Sequence, residues 1–263
     1  MTGPAVLTFP QVPEAVPRSC APVGRYVVRF ARTEVELDRI LRLRYEVFNL
    51  ELREGLDTAH ASGRDEDEFD RRFHHLLIEE RATGEIVGTY RMQTAEMAEA
   101  GGYYSAGIFQ VESLPEAVRR SAVEVGRACI ARPHRNGRVL RLLWRGLAGY
   151  LAWNRKTRLF GCCSLTTQDE ALGVAVHRQL LANGVVHPTL RVEPRPGHRC
   201  RTRSPLTVDR SPLTVPPLFR AYLDLGAMAL GPPAIDREFK TIDWLVLLDV
   251  EELEPVTFRS YFG

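Results

Sequence analysis

Val123-Glu124-Val125-Gly126-Arg127-Ala128-Cys129-Ile130 runs on through Arg135-Asn136-Gly137 into Arg138-Val139-Leu140-Arg141-Leu142-Leu143. The spacing predicts a β-strand over 122–131, a turn with a glycine, and a helix over 139–153. A carboxylate and a guanidinium inside a strand otherwise made of Val, Ala, Cys and Ile are costly to bury unless paired or bound. A glycine that opens a helix lets a phosphate approach the free backbone N–H groups there. The stretch therefore suggests a site where a phosphate-bearing donor meets a charged acceptor.

Upstream of it, residues 26–30 read as a strand. Thr33 and Glu36 form a capping box for a helix whose Leu37, Ile40, Leu41, Tyr45 and Phe48 share one side. Residues 53–72 are acidic and contain glycine, as a loop does. Strands over 75–80 and 86–92 join across Thr83-Gly84 as a hairpin. Downstream, a strand over 159–165 and a helix over 169–182 are followed by Asn183-Gly184, a helix stop. A short helix over 218–225 and an apolar strand over 244–250 complete the series. Hairpins mixed with strand–helix–strand units predict one α/β domain with a central, mostly antiparallel sheet over 25–263. Residues 1–24, with prolines at 4, 10, 13, 17 and 22, read as a flexible arm. The Pro/Arg-rich stretch 188–217 reads as an irregular excursion that is functional or mobile rather than core.

With 44% hydrophobic and 26% charged residues, the 263-residue chain has the makeup of a globular protein with a sizeable core. A net charge of +2 gives no bulk argument for nucleic acid, so none is expected as a partner. Five cysteines without Cys-x-x-Cys or Cys/His ligand spacing indicate neither a disulfide scaffold nor a metal site. The expectation is a cytoplasmic protein without a signal peptide or spanning segment, peripheral at a membrane if it meets one.

Glu124 and Arg127, three apart, would face opposite ways in a regular strand, and Gly126 between them is a natural place for a bulge. Small neighbours (Ala122, Gly126, Ala128) leave Glu124 room to hold an ammonium group and help remove its proton. An ordinary glutamate, with pKa about 4.3, would need burial or a water relay for that. The same residues also read as a buried Glu–Arg pair that satisfies itself. Arg138, Arg141 and Arg145 form a basic stripe, fit either for an acidic carrier or anionic lipid, or simply for solvent. Gly137, crowded by Arg135, Asn136 and Arg138, suits a single phosphate such as that of a pantetheine arm better than a pyrophosphate. Asp65, Asp67 and Asp70 offer carboxylates to a cation or stand solvated. Arg44 faces away from the apolar stripe of its helix, and Arg91 in a strand wants a carboxylate. His74-His75 reads as structural, and Cys129 has no histidine near it in sequence to make it a nucleophile.

Arg44-Tyr45-Glu46-Val47-Phe48, Asp67-x-x-Asp70, Gly88-Thr89-Tyr90-Arg91 and Glu124-x-Gly-Arg127 occur in this order in the ornithine-lipid N-acyltransferases. So do Pro216-Pro217-Leu218, Tyr222-Leu223-x-Leu225-Gly226-Ala227, Gly231-Pro232-Pro233-x-Ile235-Asp236 and Leu247-Leu248-Asp249-Val250. The chain resembles that family over about residues 25–252. The resemblance implies an N-acetyltransferase (GNAT) fold and transfer of a 3-hydroxyacyl chain from acyl carrier protein to the α-amine of L-ornithine, giving a lyso-ornithine lipid. No bound cofactor is implied; the phosphopantetheine of the carrier enters as co-substrate. Glu124 and Arg127 would be catalytic. Arg44, Phe48, Asp67, Asp70 and Arg91 would bind substrate, and Arg135, Gly137, Arg138, Arg141 and Arg145 would meet the carrier and its phosphate. A more distant resemblance is to acyl-homoserine-lactone synthases, whose motif matches Arg44, Phe48, Asp67, Asp70, Arg91, Glu124 and Arg127. Glu54 and Ile130 depart from it. Alternatives are a coenzyme A-dependent N-acyltransferase of another small amine, a homoserine-lactone-synthase-like enzyme, and a non-catalytic carrier- or lipid-binding module.

Overall fold

The computed structural model describes residues 9–18, 21–201 and 214–262. Strands β1 (Ala21–Val23) and β2 (Tyr26–Phe30) precede helix α1 (Glu34–Tyr45), which continues as a π-helix over Glu46–Glu51. One turn, α2 (Ala59–Ser62), leads to β3 (His74–Glu80) and β4 (Ile86–Thr94), then to short helices α3 (Ala95–Ala98) and α4 (Glu116–Ser121). Next come β5 (Ala122–Ile130), α5 (Arg138–Asn154), β6 (Arg158–Leu165) and α6 (Glu170–Ala182). The chain closes with α7 (Pro217–Asp224), β7 (Met228–Ala229), β8 (Ala234–Asp236), β9 (Thr241–Asp249) and α8 (Pro255–Phe262). Contacts group the chain into two compact units. One holds the residues up to Met97 with Val125–Lys156, the other Ala98–Glu124 with Thr157–Tyr261, so β5 gives its first three residues to the second unit and the rest to the first.

In the first unit β1 to β4 pair antiparallel in chain order, and β4 neighbours β5. Thr33 starts α1 as expected: its hydroxyl accepts the Glu36 N–H, while the Glu36 carboxylate accepts the Thr33 N–H. Leu37, Ile40 and Leu41 of α1 are buried, as are Val139, Leu142, Leu143, Leu147 and Leu151 of α5. Each such side chain contributes about 1.5–3 kcal/mol. Gly146 brings α5 so near β3 that a Cβ there would lie 2.5 Å from Leu76 Cδ1.

The described part of the N-terminal arm is not free. Trp153 Nε1 donates to Glu14 O at 2.8 Å, Asn154 Nδ2 to Ala15 O at 3.0 Å and Arg32 Nη2 to Pro17 O at 2.8 Å. Proline removes N–H donors but leaves carbonyl acceptors. Those acceptors are what the body of the unit uses to hold the segment.

In the second unit the first three residues of β5 run parallel to β6, with Glu124 level with Phe160. β6 is antiparallel to β9 along its whole length, and β9 also pairs with β7 and β8. Phe109, Ala122, Phe160, Val192, Leu230 and Leu245 form its core. Within the irregular stretch 188–217, Val192 packs into this core: it is 1% exposed, and its N–H donates to Leu230 O at 2.7 Å. Gly231 makes the approach possible, since a Cβ there would stand 2.4 Å from Val192 O. The middle of that stretch, 202–213, lies outside the described residues. The sheet is mixed and mostly antiparallel with flanking helices, as expected. Among the described residues no helix is long and apolar enough to cross a membrane.

Candidate active site

In the first unit three arginines from three elements converge on three aspartates of one loop. Arg44, on the last turn of α1, donates through Nε to Asp65 Oδ2 at 2.8 Å. Its Nη1 and Nη2 reach the two oxygens of Asp70 at 2.5 and 3.2 Å. Arg91 on β4 donates through Nη1 to Asp67 Oδ1 at 2.7 Å and Asp70 Oδ1 at 3.0 Å, with its guanidinium 5.0 Å from the Phe73 ring centre. Arg127 on β5 reaches Asp67 Oδ2 at 3.3 Å and lies 3.4 Å from Asp65 Oδ2. Arginine suits this bridging because its planar fork meets two carboxylates at once.

Charges balance at three against three, which is how ions survive burial. Burial alone would push the Asp70 carboxyl up, but the charges of Arg44 and Arg91 override it and hold the group far below the usual carboxylate range. Asp67 is lowered in the same way: burial, the largest influence, pushes it up, and Arg91 together with Arg127 overrides it. Burial would depress the Arg44 guanidinium, and Asp70 with Asp65 reverses that. Arg44 is fully buried rather than turned to solvent as its helical position suggested; Asp65 and Asp70 give it a partner inside.

Asp70 has both oxygens engaged, one of them also by the Asp67 N–H at 2.8 Å. Asp67 is 14% exposed and opens onto a surface depression of about 440 Å³ that it shares with Arg64, Glu66, Glu68 and Arg71. Phe48 is buried within the π-helix. His75 lies under the cluster, its Nε2 2.8 Å from Asp70 O. Burial first, then the neighbouring Arg44, outweigh the pull of Asp70 and lower its pKa to about 4.

The expected irregularity in β5 falls one residue beyond Gly126. Arg127 itself has a left-handed backbone, φ 52°. Such a residue interrupts side-chain alternation. It costs on the order of 1 kcal/mol or more unless the surroundings hold it. Here Asp65 and Asp67 do.

In the second unit Glu124 is 2% exposed and met by donors from the short helix Tyr104–Gly107. Tyr104 N–H donates to Oε2 at 3.0 Å; Ser105 N–H and its hydroxyl donate to Oε1 at 2.8 and 2.6 Å. These donors match the charge of a buried carboxylate. Tyr104 and Ser105 carry no motif that sequence reading could single out, and nothing in the sequence separates Asp65 from the other acids of its loop. Burial, with Asp243 and Glu124 adding to it, pushes the neighbouring Cys162 thiol well up.

Gly137 caps α5 with φ 76° and is exposed, while Asn136 Oδ1 accepts the Arg138 N–H at 3.1 Å. Arg135 is held by Glu51 at 2.5 and 2.8 Å, and its Nε donates to Ile130 O. Arg138, Arg141 and Arg145 lie on the exposed side of α5. Burial pushes the Cys129 thiol up to about 12, leaving it almost no thiolate at neutral pH. Among the described residues no group of His, Cys, Asp and Glu could hold a metal ion.

Residues 43–145 match the family model described as an acetyltransferase (GNAT) domain. The chain is 34% identical to the L-ornithine N(alpha)-acyltransferase of Agrobacterium fabrum over 92% of its own length and 86% of the relative's. It is 31% identical to the enzyme of the same name from Rhizobium meliloti, over 92% and 85%. Among solved structures it is similar to a CoA-dependent acyl-homoserine lactone synthase with MTA: TM-score 0.52 and 14% identity, over 86% of this chain and 80% of that one, a likeness of fold. The chain belongs to the L-ornithine N(alpha)-acyltransferase family, acyltransferases built on the GNAT fold.

Proposed function

We propose that this protein forms an amide between the α-amine of L-ornithine and a 3-hydroxyacyl chain delivered as the thioester of acyl carrier protein. The amine nitrogen attacks the thioester carbon, the C–S bond breaks, and the thiol of the pantetheine arm leaves with the proton released from the amine. Glu124 orients the ammonium group and takes the first proton, which frees the lone pair, directly or through a water, and passes it to solvent; the second N–H proton is the one that leaves with the thiol. The observation that carries this role is the fixing of both Glu124 oxygens by Tyr104 and Ser105, which holds a buried carboxylate in one place. Asp67, the member of the aspartate cluster that reaches the surface, supplies negative charge toward the cationic acceptor. Asp70, Arg44, Arg91 and Arg127 brace it. Gly137 and Arg138 take the phosphate of the arm. The exposed stripe of Arg138, Arg141 and Arg145 docks the acidic carrier and, at the inner face of a membrane, anionic lipid. Family membership supports ornithine as acceptor.

Thiol release followed with acyl carrier protein and with coenzyme A as donors, against ornithine, lysine, glycine and glutamine, tests the reading. Fast release requiring the carrier and ornithine together, with an N-acylornithine product by mass spectrometry, is the expected result. No amide with ornithine from either donor would overturn it. Glu124→Gln should fold and lose about 100-fold or more in turnover; full turnover in that variant would remove Glu124 from the chemistry.

A further inference from the structure

We propose that Arg195, in the Pro/Arg-rich stretch, is a positioning residue that acts on Glu124 through the Tyr104–Gly107 helix. The proposal rests on the reading of Glu124 given above and assigns a task to a segment that the reaction does not otherwise use. Arg195 holds the helix at its C-terminal end: its Nε donates to Ala106 O at 2.5 Å and its backbone N–H to Ile108 O at 2.8 Å. Its Nη2 donates to Glu112 at 3.1 Å. The adjoining backbone adds a bond from Gln110 N–H to Glu193 O at 2.9 Å and a bridge between Phe109 and Pro194. Ser105, which gives Glu124 two donors, its N–H and its hydroxyl, is one residue from the carbonyl that Arg195 grips.

Behind Arg195 the segment is anchored to the body of its unit. Val192 N–H donates to Leu230 O, His198 Nδ1 lies 2.9 Å from Ile235 O, and Arg199 bridges to Ala234. The order of support is therefore β8 and the core beneath it, then 192–199, then 106–112, then Ser105 and Glu124. A guanidinium is needed at the middle link. One planar group reaches a carbonyl and a carboxylate together, and lysine's single ammonium does not reproduce that fork. Loss of the side-chain grip removes the bonds to Ala106 O and Glu112 and leaves the backbone bonds, so the helix loosens locally and the Tyr104 and Ser105 N–H groups spend more time away from Glu124. The amine acceptor, oriented by Glu124, then binds less well, while donor binding at α5 is untouched.

The test is amide hydrogen exchange on the full chain, wild type against Arg195→Ala, Arg195→Lys and Glu112→Gln, with Arg191→Ala as an exposed neighbouring control. Amides 104–109 should exchange at least tenfold faster in Arg195→Ala and less so in Arg195→Lys and Glu112→Gln. Those of β6 and β9 should stay unchanged, and Arg191→Ala should match wild type. In the thiol-release assay the ornithine KM should rise at least fivefold in Arg195→Ala with the donor KM unchanged. Protection of 104–109 within twofold of wild type in Arg195→Ala would overturn the proposal. So would loosening spread over the whole unit, or, if Arg195→Ala does not fold, unaltered protection in the other two variants. The exchange measurement needs no substrate. Absence of ornithine acylation by wild type would refute the functional reading while exchange still decides the role of Arg195.

Discussion

Replacing Asp70 by asparagine preserves the size of the side chain and removes one negative charge from a fully buried site. The carboxylate accepts from Arg44 Nη1 and Nη2, from Arg91 Nη1 and from the Asp67 N–H. Asparagine keeps one acceptor oxygen and turns an NH₂ donor toward guanidinium donors. Three buried arginines then face two aspartates. Breaking a buried pair by removing one partner costs about 3–5 kcal/mol, a large part of the 5–15 kcal/mol that typically holds a protein folded. At roughly 2–4 °C per kcal/mol for a chain approaching this size, the thermal midpoint at pH 7.5 should fall by about 6–20 °C. The dependence on pH is a sharper check. Asp70's folded pKa is depressed, so its stabilisation is complete above its unfolded value of about 3.9 and lost as pH falls. The gap between wild type and Asp70→Asn should therefore close by about 1.4 kcal/mol for each pH unit below about 3.9. Scanning calorimetry or circular dichroism melts of both proteins measure it. A midpoint within 3 °C of wild type at pH 7.5, or a gap that does not close in acid, would refute the idea that Asp70 is held as the pivot of the cluster.

Two further outcomes follow from burial. His74 and His75 both sit at about pKa 4, with burial the leading cause. Between pH 6.5 and 4 the unfolded chain binds protons that the folded one refuses, so stability is full above 6.5 and falls toward 4, by at most about 2.7 kcal/mol per pH unit for the pair. Denaturant midpoints measured from pH 7 to 4.5 should show that slope and should lose half of it in His75→Gln; a flat profile would contradict the burial. Gly231→Ala would set a Cβ 2.4 Å from Val192 O, a backbone atom that cannot turn aside. It should cost about 1–3 kcal/mol as overpacking, read as a lowered thermal midpoint, and an unchanged midpoint would mean the two backbones are not pressed together.

Elements were legible where local rules act alone. Thr33 and Glu36 specify the start of α1 with four residues, and the apolar face of α5 follows from its own period. Asp169 likewise caps α6, its carboxylate accepting the Ala171 and Leu172 N–H groups. Contacts of the N-terminal segment are not legible in its composition, because proline content reports on N–H donors and says nothing of carbonyls. Glu14, Ala15 and Pro17 are held as acceptors by side chains distant in sequence. Composition hides the buried point of the stretch 188–217 for a related reason. Prolines and arginines look like a surface loop, yet Val192 is buried because Gly231, almost forty positions later, leaves its carbonyl room.

The candidate site was half legible, and the division has a physical cause. Arg91, Glu124 and Arg127 stand out because charges in apolar strands demand partners, and Arg44, Asp67 and Asp70 through the motifs the chain shares with its family, but neither signal says which partner answers which charge. Alternation along β5 assigns Glu124 and Arg127 to faces only while every residue is extended, and the left-handed backbone at Arg127 resets the count. The answers then come from positions without signals of their own: Asp65 for Arg44 and Arg127, Ser105 and Tyr104 for Glu124. Because the arginine–aspartate cluster is compensated three against three, what it can present to a substrate is local, a carboxylate at the surface rather than a net charge. Of the three aspartates Asp67 is the one that reaches the surface, and the contact proposed with a cationic acceptor falls to it. A substitution that spares the balance but moves Asp67 should then alter acceptor binding alone, whereas one that breaks the balance at Asp70 should act on stability first.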